Sequence, residues 1–312
     1  MIISFIALIT AFLLDFFLGD PPNRFHPVVA MGQVIRFFTR KWNTGSDSRR
    51  FWLGAVLTLA GAAVFSVPWI AFILATTSFP DWAAGVLTGL LLKPTFAYRG
   101  LLQAGDEVRA AMITNDLKEA RRLVAWHLVS RDTSQLTGPQ VASAAIESLA
   151  ENLTDSFFAP LFFFMIGGLP LAWAYRFINT ADAMIGYHTS EFEYFGKFTA
   201  RLDDILNWIP ARLSGLILVA AAWLCRFDAK NAFRVMMQQH AATSSPNAGW
   251  TMSAAAGALG IILEKTGNYC LRGSENTPDE NDLKKAKHLV TISLFLSLIF
   301  CGGLIFVRYI YF

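Results

Sequence analysis

The chain has 312 residues, of which 54% are hydrophobic and 16% charged, with 27 Phe and 9 Trp, and its mean hydropathy is +0.43. A soluble domain of ordinary make-up carries about 25% charged residues, so the composition excludes that class and points to a chain solvated largely by lipid. The net charge of +3 is too small to argue for nucleic acid, and three scattered cysteines, Cys225, Cys270 and Cys301, give neither a disulfide framework nor a zinc site.

A spanning helix needs about 20 largely apolar residues. Residues 1–18 qualify with Asp15 as their only charge, and they read as a span rather than a signal peptide, because no Lys or Arg precedes Arg24 and no small-residue cleavage site follows. Gly19-Asp20-Pro21-Pro22 through His26-Pro27 is a rigid turn; His26 can touch a ligand or metal, although a lone His is more often structural. Residues 51–78 carry no charge and can span with tilt. Residues 82–98 form a weaker span, interrupted by Lys93 and Pro94. Between 99 and 130 the residues Val108, Met112, Leu117, Ala120, Leu123 and Val124 recur at helical spacing, broken at Asn115, which reads as an N-cap. Thr137-Gly138-Pro139 reads as a cap followed by Pro at a helix start.

Two further runs, 156–175 and 206–225, are apolar but broken, one by Gly167-Gly168-Leu169-Pro170, the other by Pro210 and Arg212. Ser244 to Gly249 has turn composition and leads into the small-residue helix 253–258, which permits close packing, leaves room for a homo-oligomer, and presents an N-terminus that could receive an anion. Residues 267–282 read as a surface loop, and 289–307 as a last span. The fold expected is all-α: a polytopic integral membrane protein, one membrane-embedded domain over 1–312, with amphipathic helices on its cytoplasmic side and broken or re-entrant helices. The orientation follows from Arg36, Arg40, Lys41, Arg49 and Arg50 in the first polar loop, against no Lys or Arg in 79–81. That bias places the polar stretches 99–155 and 226–288 in the cytoplasm if 156–225 crosses an even number of times. Two crossings satisfy this, and so do two re-entrant segments, which the broken helices favour.

Chemistry concentrates in four places. Glu147, Glu151 and Asp155 stand at i, i+4 and i+8, one carboxylate stripe on a helix; like charges at that spacing repel, so a cation must compensate, and oxygen ligands with phosphates suit Mg²⁺. The alternative is a solvated face ending at the bilayer. Arg131 can grip a phosphate in a bidentate way or pair with Asp132. Arg176, Asn179 and Asp182 follow at i+3 steps; Asp203 and Asn207 are one turn apart, and Asp204 and Arg212 two turns. Ionisable groups beside membrane segments are costly and default to a functional reading with a partner; the alternative is interfacial ion pairs that anchor helices. There is no Walker A sequence, GxGxxG, GxSxG or HExxH, so any nucleotide must be held without the common loops.

These residues fall into a recognisable set: Gly19-Asp20-Pro21-Pro22…His26-Pro27-Val28, Gly105-Asp106-Glu107-Val108-Arg109, Ser130-Arg131-Asp132-Thr133, Glu147-Ser148…Ala150-Glu151-Asn152…Asp155, Asn179-Thr180…Asp182…Met184…Gly186-Tyr187, Ala200-Arg201-Leu202-Asp203-Asp204…Asn207…Pro210-Ala211-Arg212-Leu213 and Ser245-Pro246-Asn247-Ala248-Gly249…Ala256-Gly257-Ala258-Leu259. In order and over residues 15 to 271 they resemble the membrane-bound adenosylcobinamide-phosphate synthases, the CobD/CbiB family of cobalamin biosynthesis. One departure is Met252, where some members carry a carboxylate.

The resemblance implies an acid–amine ligase. It would join a propionate of adenosylcobyric acid, a corrinoid, to (R)-1-aminopropan-2-ol phosphate or the free aminoalcohol, with ATP and Mg²⁺, in the cell membrane and facing the cytoplasm. It implies Glu147, Glu151, Asp155 and Asp203 for the metal, and Arg131, Arg201, Asn152, Asn179 and Asn247 for nucleotide and substrate. Asp182, Asp204 and Arg212 would carry the chemistry, an Asp as base and Arg212 on phosphate. Trp173, Tyr175 and Tyr187 are candidates for an aromatic wall against the corrin. Partners expected are the two substrates, the lipid bilayer, and a second copy or other corrinoid enzymes, with no nucleic acid. The rival readings are a membrane transporter, against which the polar motifs cluster outside the spans and no matching pair of broken helices occurs, and a non-catalytic sensor of the same fold, which would have lost several of these charged positions.

Overall fold

The computed structural model describes residues 2–129, 132–187 and 189–311. In chain order the helices are α1 (Ile2–Leu18), α2 (Pro27–Trp42), α3 (Asp47–Ser66), α4 (Pro68–Ala75), α5 (Asp81–Leu92), α6 (Arg99–Ile113), α7 (Leu117–His127), α8 (Gly138–Leu153), α9 (Ala159–Ile185), α10 (Lys197–Leu224), α11 (Ala229–Gln239), α12 (Ala248–Leu259) and α13 (Glu280–Tyr311). Two short strands, β1 (Ile262–Lys265) and β2 (Tyr269–Arg272), pair antiparallel between α12 and α13. The all-α expectation holds. Among the described residues, four stretches are long and apolar enough to cross a membrane: Asp47–Ser78, Gly138–Ile185, Lys197–Leu224 and Glu280–Val307, with α1 as a shorter apolar helix. The chain is a membrane protein. Residues 82–98 correspond to the 12-residue α5, which gives way at Lys93 to a 3₁₀ turn, Lys93–Thr95.

The backbone treats the two suspect breaks differently. At Gly167 (φ −139°, ψ 22°) and Gly168 (φ 67°, ψ −157°) the path leaves helical geometry inside α9, and the second of these conformations is open essentially to glycine alone. Pro210, by contrast, does not break α10, which runs unbroken from Lys197 to Leu224; one lost N–H bond is tolerated in a long apolar helix that its neighbours support.

The described residues cluster into two compact units. The first comprises residues up to 97, 159–207 and those from 300 onward; the second comprises 98–158 and 208–299. In the first unit, α1 lies on α5 across a Gly85-x-x-x-Gly89 face. A Cβ on Gly85 would stand 2.7 Å from Ile6 Cβ, and one on Gly89 2.6 Å from Thr10 Cβ, so the absent side chains set the helix separation. Helix α3 packs on α9, with Gly61 under the Phe177 ring and Gly54 against the Phe195 carbonyl.

In the second unit, α12 is the buried centre, packed by α8 and α11. Its small residues Ser253, Ala254, Ala255, Ala256, Gly257 and Ala258 are buried within the chain's own fold. Here two local expectations are corrected. Asn115 does not cap α7: it takes a left-handed φ of 55° to close α6, and Asp116 is the cap, its carboxylate accepting from the Glu119 amide at 2.9 Å. Residues 267–282 are not one loop. Gly267 turns the hairpin (φ 76°), Tyr269 to Arg272 are strand, and α13 has begun by Glu280.

Candidate functional site

The longest polar series follows α8. Thr137 caps the helix, and its amide donates to the Gln140 side chain at 2.9 Å. Glu147 is buried with both carboxylate oxygens engaged: Ser143 Oγ donates to Oε1 at 2.6 Å and Tyr269 Oη to Oε2 at 2.8 Å. Ser143 Oγ in turn accepts from the Glu264 amide at 2.8 Å, so Glu147 and Ser143 fasten the hairpin to α8. Glu151, one turn further, feels the positive charge of Lys265 on β1. Asn152 bonds within the helix, Nδ2 donating to the Ser148 carbonyl at 2.9 Å while Oδ1 accepts from Ser156 Oγ at 2.6 Å. The stripe is not a regular i, i+4, i+8 line to its end: α8 stops at Leu153, and Asp155 lies in a π-helical turn, Thr154–Phe158, whose i→i+5 bonding re-aims the side chain.

A second group, also in the second unit, surrounds Arg212. Its guanidinium lies between two indoles, Cζ 4.1 Å from the Trp208 ring centroid and 4.8 Å from that of Trp250. Trp250 is stacked in turn on His240, centroids 4.0 Å apart. Arg212 Nη1 donates to the Trp208 carbonyl at 2.6 Å and to Asn247 Oδ1 at 3.5 Å. A planar cation between aromatic faces is held at low entropy, with much of its donor fork left for a carboxylate or phosphate. Gly249 lets the Ser245 turn close, since a Cβ there would meet the His240 carbonyl oxygen at 2.0 Å. Met252 is buried in α12, a core position.

The first unit holds the third group. Tyr175 Oη donates to Asn207 Oδ1 (2.9 Å), Asn207 Nδ2 to Asp203 Oδ2 (2.9 Å), and Asn179 Nδ2 to Asp203 Oδ1 (3.4 Å). This chain of bonds ties α9 to α10, with Asp203 and Asn207 both buried. Asp182 folds over Gly186, where a Cβ would stand 2.0 Å from its Oδ1. Asp204 is half-buried on α10, and Arg201 is exposed. Trp173 and Tyr175 are not an open aromatic wall. Both are core residues, Trp173 donating to the Leu91 carbonyl at 3.0 Å and packing on Trp69; Tyr187 is exposed. Arg131 lies outside the described residues; its neighbour Asp132 accepts from the Ser134 amide at 2.9 Å.

A fourth group was missed as a unit. Asp15, wholly buried in α1, is 2.7 Å from Lys93 Nζ, and the same ammonium bonds Asp20. His26 Nε2 is 3.5 Å from Asp20, while its Nδ1 accepts from the Val28 amide at 3.2 Å and caps α2, so His26 has the structural role. Burial pushes the Asp20 carboxyl up, but hydrogen bonds from His26 and Lys93, with their charges, bring it down to about 2. Tyr269, Trp208 and Trp250 were missed for want of any local signal. Asp15 and Lys93 did carry one, as lone charges inside apolar runs.

Among the described residues, no three His, Cys, Asp or Glu side chains converge into a metal cluster. Comparison with known proteins settles the family. The sequence profile described as CobD/Cbib protein matches residues 8–296. The chain belongs to the CobD/CbiB family. It is 43% identical over 268 residues to "Cobalamin biosynthesis protein CobD" of Dehalococcoides mccartyi, covering 84% of each chain. It is 40% identical over 300 residues to "Probable cobalamin biosynthesis protein CobD" of Methanothermobacter thermautotrophicus, covering 96% of this chain and 97% of that one. With "Cobalamin biosynthesis protein CobD" of Yersinia enterocolitica the identity is 39% over 299 residues, covering 93% and 94%. No solved structure matches the chain significantly.

Proposed function

We propose that the protein acts in cobalamin biosynthesis as an ATP-dependent acid–amine ligase, joining adenosylcobyric acid to (R)-1-aminopropan-2-ol phosphate, or to the free aminoalcohol, to give adenosylcobinamide phosphate or adenosylcobinamide. What supports the reading is membership of the CobD/CbiB family over residues 8–296, which includes every candidate site residue. A carboxylate is a poor acyl donor at neutral pH. The reaction therefore proceeds by transfer of the ATP γ-phosphoryl to the propionate oxygen, releasing ADP, followed by attack of the amine on the acyl phosphate. The C–O bond breaks, phosphate leaves, and the amine gives up a proton.

The chain's own residues divide the work. Arg212, clamped between Trp208 and Trp250, meets a phosphate, as does the exposed Arg201; Arg131 is assigned the same role from the sequence. Asp182 or Asp204 takes the proton of the incoming ammonium. Asn152, Asn179 and Asn247 orient substrate and nucleotide. For Mg²⁺, the all-oxygen donor set is of the right chemistry, but Glu147 is committed to Ser143 and Tyr269, and no three-residue cage exists among the described residues. That fits a magnesium ion carried in on phosphates and held by one or two carboxylates, the usual arrangement. Glu151 and Asp155 fit best, with Asp203 the candidate in the first unit. The ion would neutralise charge on the transferring phosphoryl group. The site is proposed to face the cytoplasm, where the basic polar segments are expected.

The test is direct. Detergent-purified protein is incubated with adenosylcobyric acid, aminopropanol phosphate or aminopropanol, and Mg-ATP, and the amide product is sought by mass spectrometry. Product that vanishes without ATP or Mg²⁺ is the expected result. If no product forms with either aminoalcohol from protein that still binds corrinoid, the ligase reading fails. Glu151→Gln with full turnover and unchanged Mg²⁺ dependence removes the stripe from the metal site.

A further inference from the structure

Among the described residues, the short helix α11 buries one face and leaves the other exposed. Ala232, Val235 and Met236 are buried, with Ala232 against Gly257 of α12 and Met236 against Gly215 of α10. The opposite face carries Phe233 and Met237, 47% and 48% exposed, one turn apart and flanked by Lys230 and Arg234, also one turn apart. These four side chains, with Asp228, Asn231 and Gln238, line an open cleft of about 720 Å³. Lys230 has no hydrogen-bond or ion-pair partner among the described residues, and Arg234 donates through one Nη to Asn231 Oδ1. The acid at the rim, Asp228, is already used as the N-cap, accepting from the Asn231 amide at 2.8 Å.

Position adds to composition. Helix α10, apolar and long enough to span, ends with Trp223 and Leu224 exposed at 71% and 51%. Arg226 then takes a left-handed turn (φ 59°), and α11 starts at Ala229. An exposed Trp at the end of an apolar helix marks the membrane–water boundary. A short helix that follows at that level, with apolar side chains on its open face and lysine and arginine beside them, has the make-up of a helix lying in the headgroup layer. Water alone would leave Phe233 and Met237 solvated beside two cations; an acidic lipid satisfies both halves of the face at once.

We infer that the open face of α11 binds acidic phospholipid, with the headgroup phosphate between Lys230 and Arg234 and with Phe233 and Met237 entering the acyl boundary. The test uses the whole protein in mild detergent, titrated with phosphatidylglycerol or with phosphatidylcholine of the same chains, and counts retained lipids by native mass spectrometry. Phosphatidylglycerol is retained preferentially. Each basic residue near an acidic surface contributes roughly fivefold, so Lys230→Gln/Arg234→Gln lowers that retention by about 25-fold, leaves phosphatidylcholine unaffected, and keeps the melting temperature. Lys118→Gln/Arg122→Gln on α7 changes nothing, and Phe233→Ser/Met237→Ser weakens both lipids. Equal retention of the two lipids by the parent protein, or unchanged retention in the charge variant, overturns the assignment. So does displacement of phosphatidylglycerol by glycerol phosphate at equal concentration, which would make the face a site for phosphate alone. A dimer that the Phe233/Met237 variant abolishes without altering lipid retention would make it a contact between copies.

Discussion

Lys93→Met is the sharpest perturbation the structure offers. The substitution keeps the unbranched stem and deletes the charge between Asp15, wholly buried and 2.7 Å away, and Asp20, whose side chain is 34% exposed. Removing one partner of a buried ion pair costs about 3–5 kcal/mol, because the other charge stays out of water. Asp20 retains His26 and solvent, so its share is small, and the loss falls mainly on Asp15; about 3 kcal/mol is expected. Replacing both partners is much milder. Asp15→Asn/Lys93→Met should therefore recover about 2 kcal/mol relative to the single variant, a coupling energy typical of residues in direct contact. The assay is denaturant unfolding in detergent micelles followed by tryptophan fluorescence, with Lys197→Met as control, since that ammonium lies 3.9 Å from Glu193 on the surface and should cost under about 0.5 kcal/mol.

The same group has a pH signature of definite sign. The Asp20 carboxyl sits at about 2 instead of 3.8, so the folded form releases its proton more readily than the unfolded chain does. The resulting stability is fully present above about pH 4 and is lost as pH falls toward 2. It amounts to about 2 kcal/mol at most, less after screening of a side chain that is one-third exposed. In Lys93→Met this acid limb should flatten, since one of the two cations that lower Asp20 is gone. A loss under about 1 kcal/mol for Lys93→Met, or single-variant costs that simply add, would refute the reasoning.

Tyr269→Phe removes the hydroxyl that donates to Glu147 Oε2; leaving a buried acceptor without its donor costs about 1–3 kcal/mol, and hydrogen exchange should show β1 and β2 opening before the rest of the second unit. Gly61→Ala places a Cβ 2.0 Å from Phe177 Cζ, and the overpacking should cost about 1–3 kcal/mol in thermal unfolding, whereas Gly303→Ala, with open space around it, should be neutral. If the ligase reading holds, Arg212→Lys loses the planar fork and its two ring contacts while keeping the charge. Roughly tenfold or more should be lost from kcat/KM for ATP or the phosphorylated aminoalcohol, with the melting temperature nearly unchanged, and Trp250→Leu should reproduce part of that loss by freeing the guanidinium.

What the sequence disclosed, and what it withheld, follows from the range of each interaction. Spans are local: about 20 apolar residues suffice, so 51–78 and 289–307 could be read without a partner, and the Gly167-Gly168-Leu169-Pro170 run marked its own break. The hairpin is nearly local, four residues on each side of Thr266-Gly267-Asn268, and the Gly-Asn pair between two short runs was the available signal; an acidic, glycine-containing stretch just beyond it argued for a loop instead. Glu147 was legible as a carboxylate on a helix, but its donor Tyr269 is 122 residues away, and no periodicity spans that distance. The Arg212 clamp failed for the same reason, since Trp250 reaches it only because α12 folds back on α10.

The most instructive omission is the pair Asp15 and Lys93, each taken as a flaw in its own apolar run. A lone charge in such a run is too costly to stand by itself, and two flaws of opposite sign in neighbouring elements are a reason to pair those elements. The Gly85-x-x-x-Gly89 face, which brings α5 close against α1, supplied the second half of that inference. Lys93 stands one turn beyond Gly89, and Asp15 a little over one turn beyond Thr10, the residue Gly89 meets. Charge and close packing together would have placed the ion pair from the sequence, where neither does so alone.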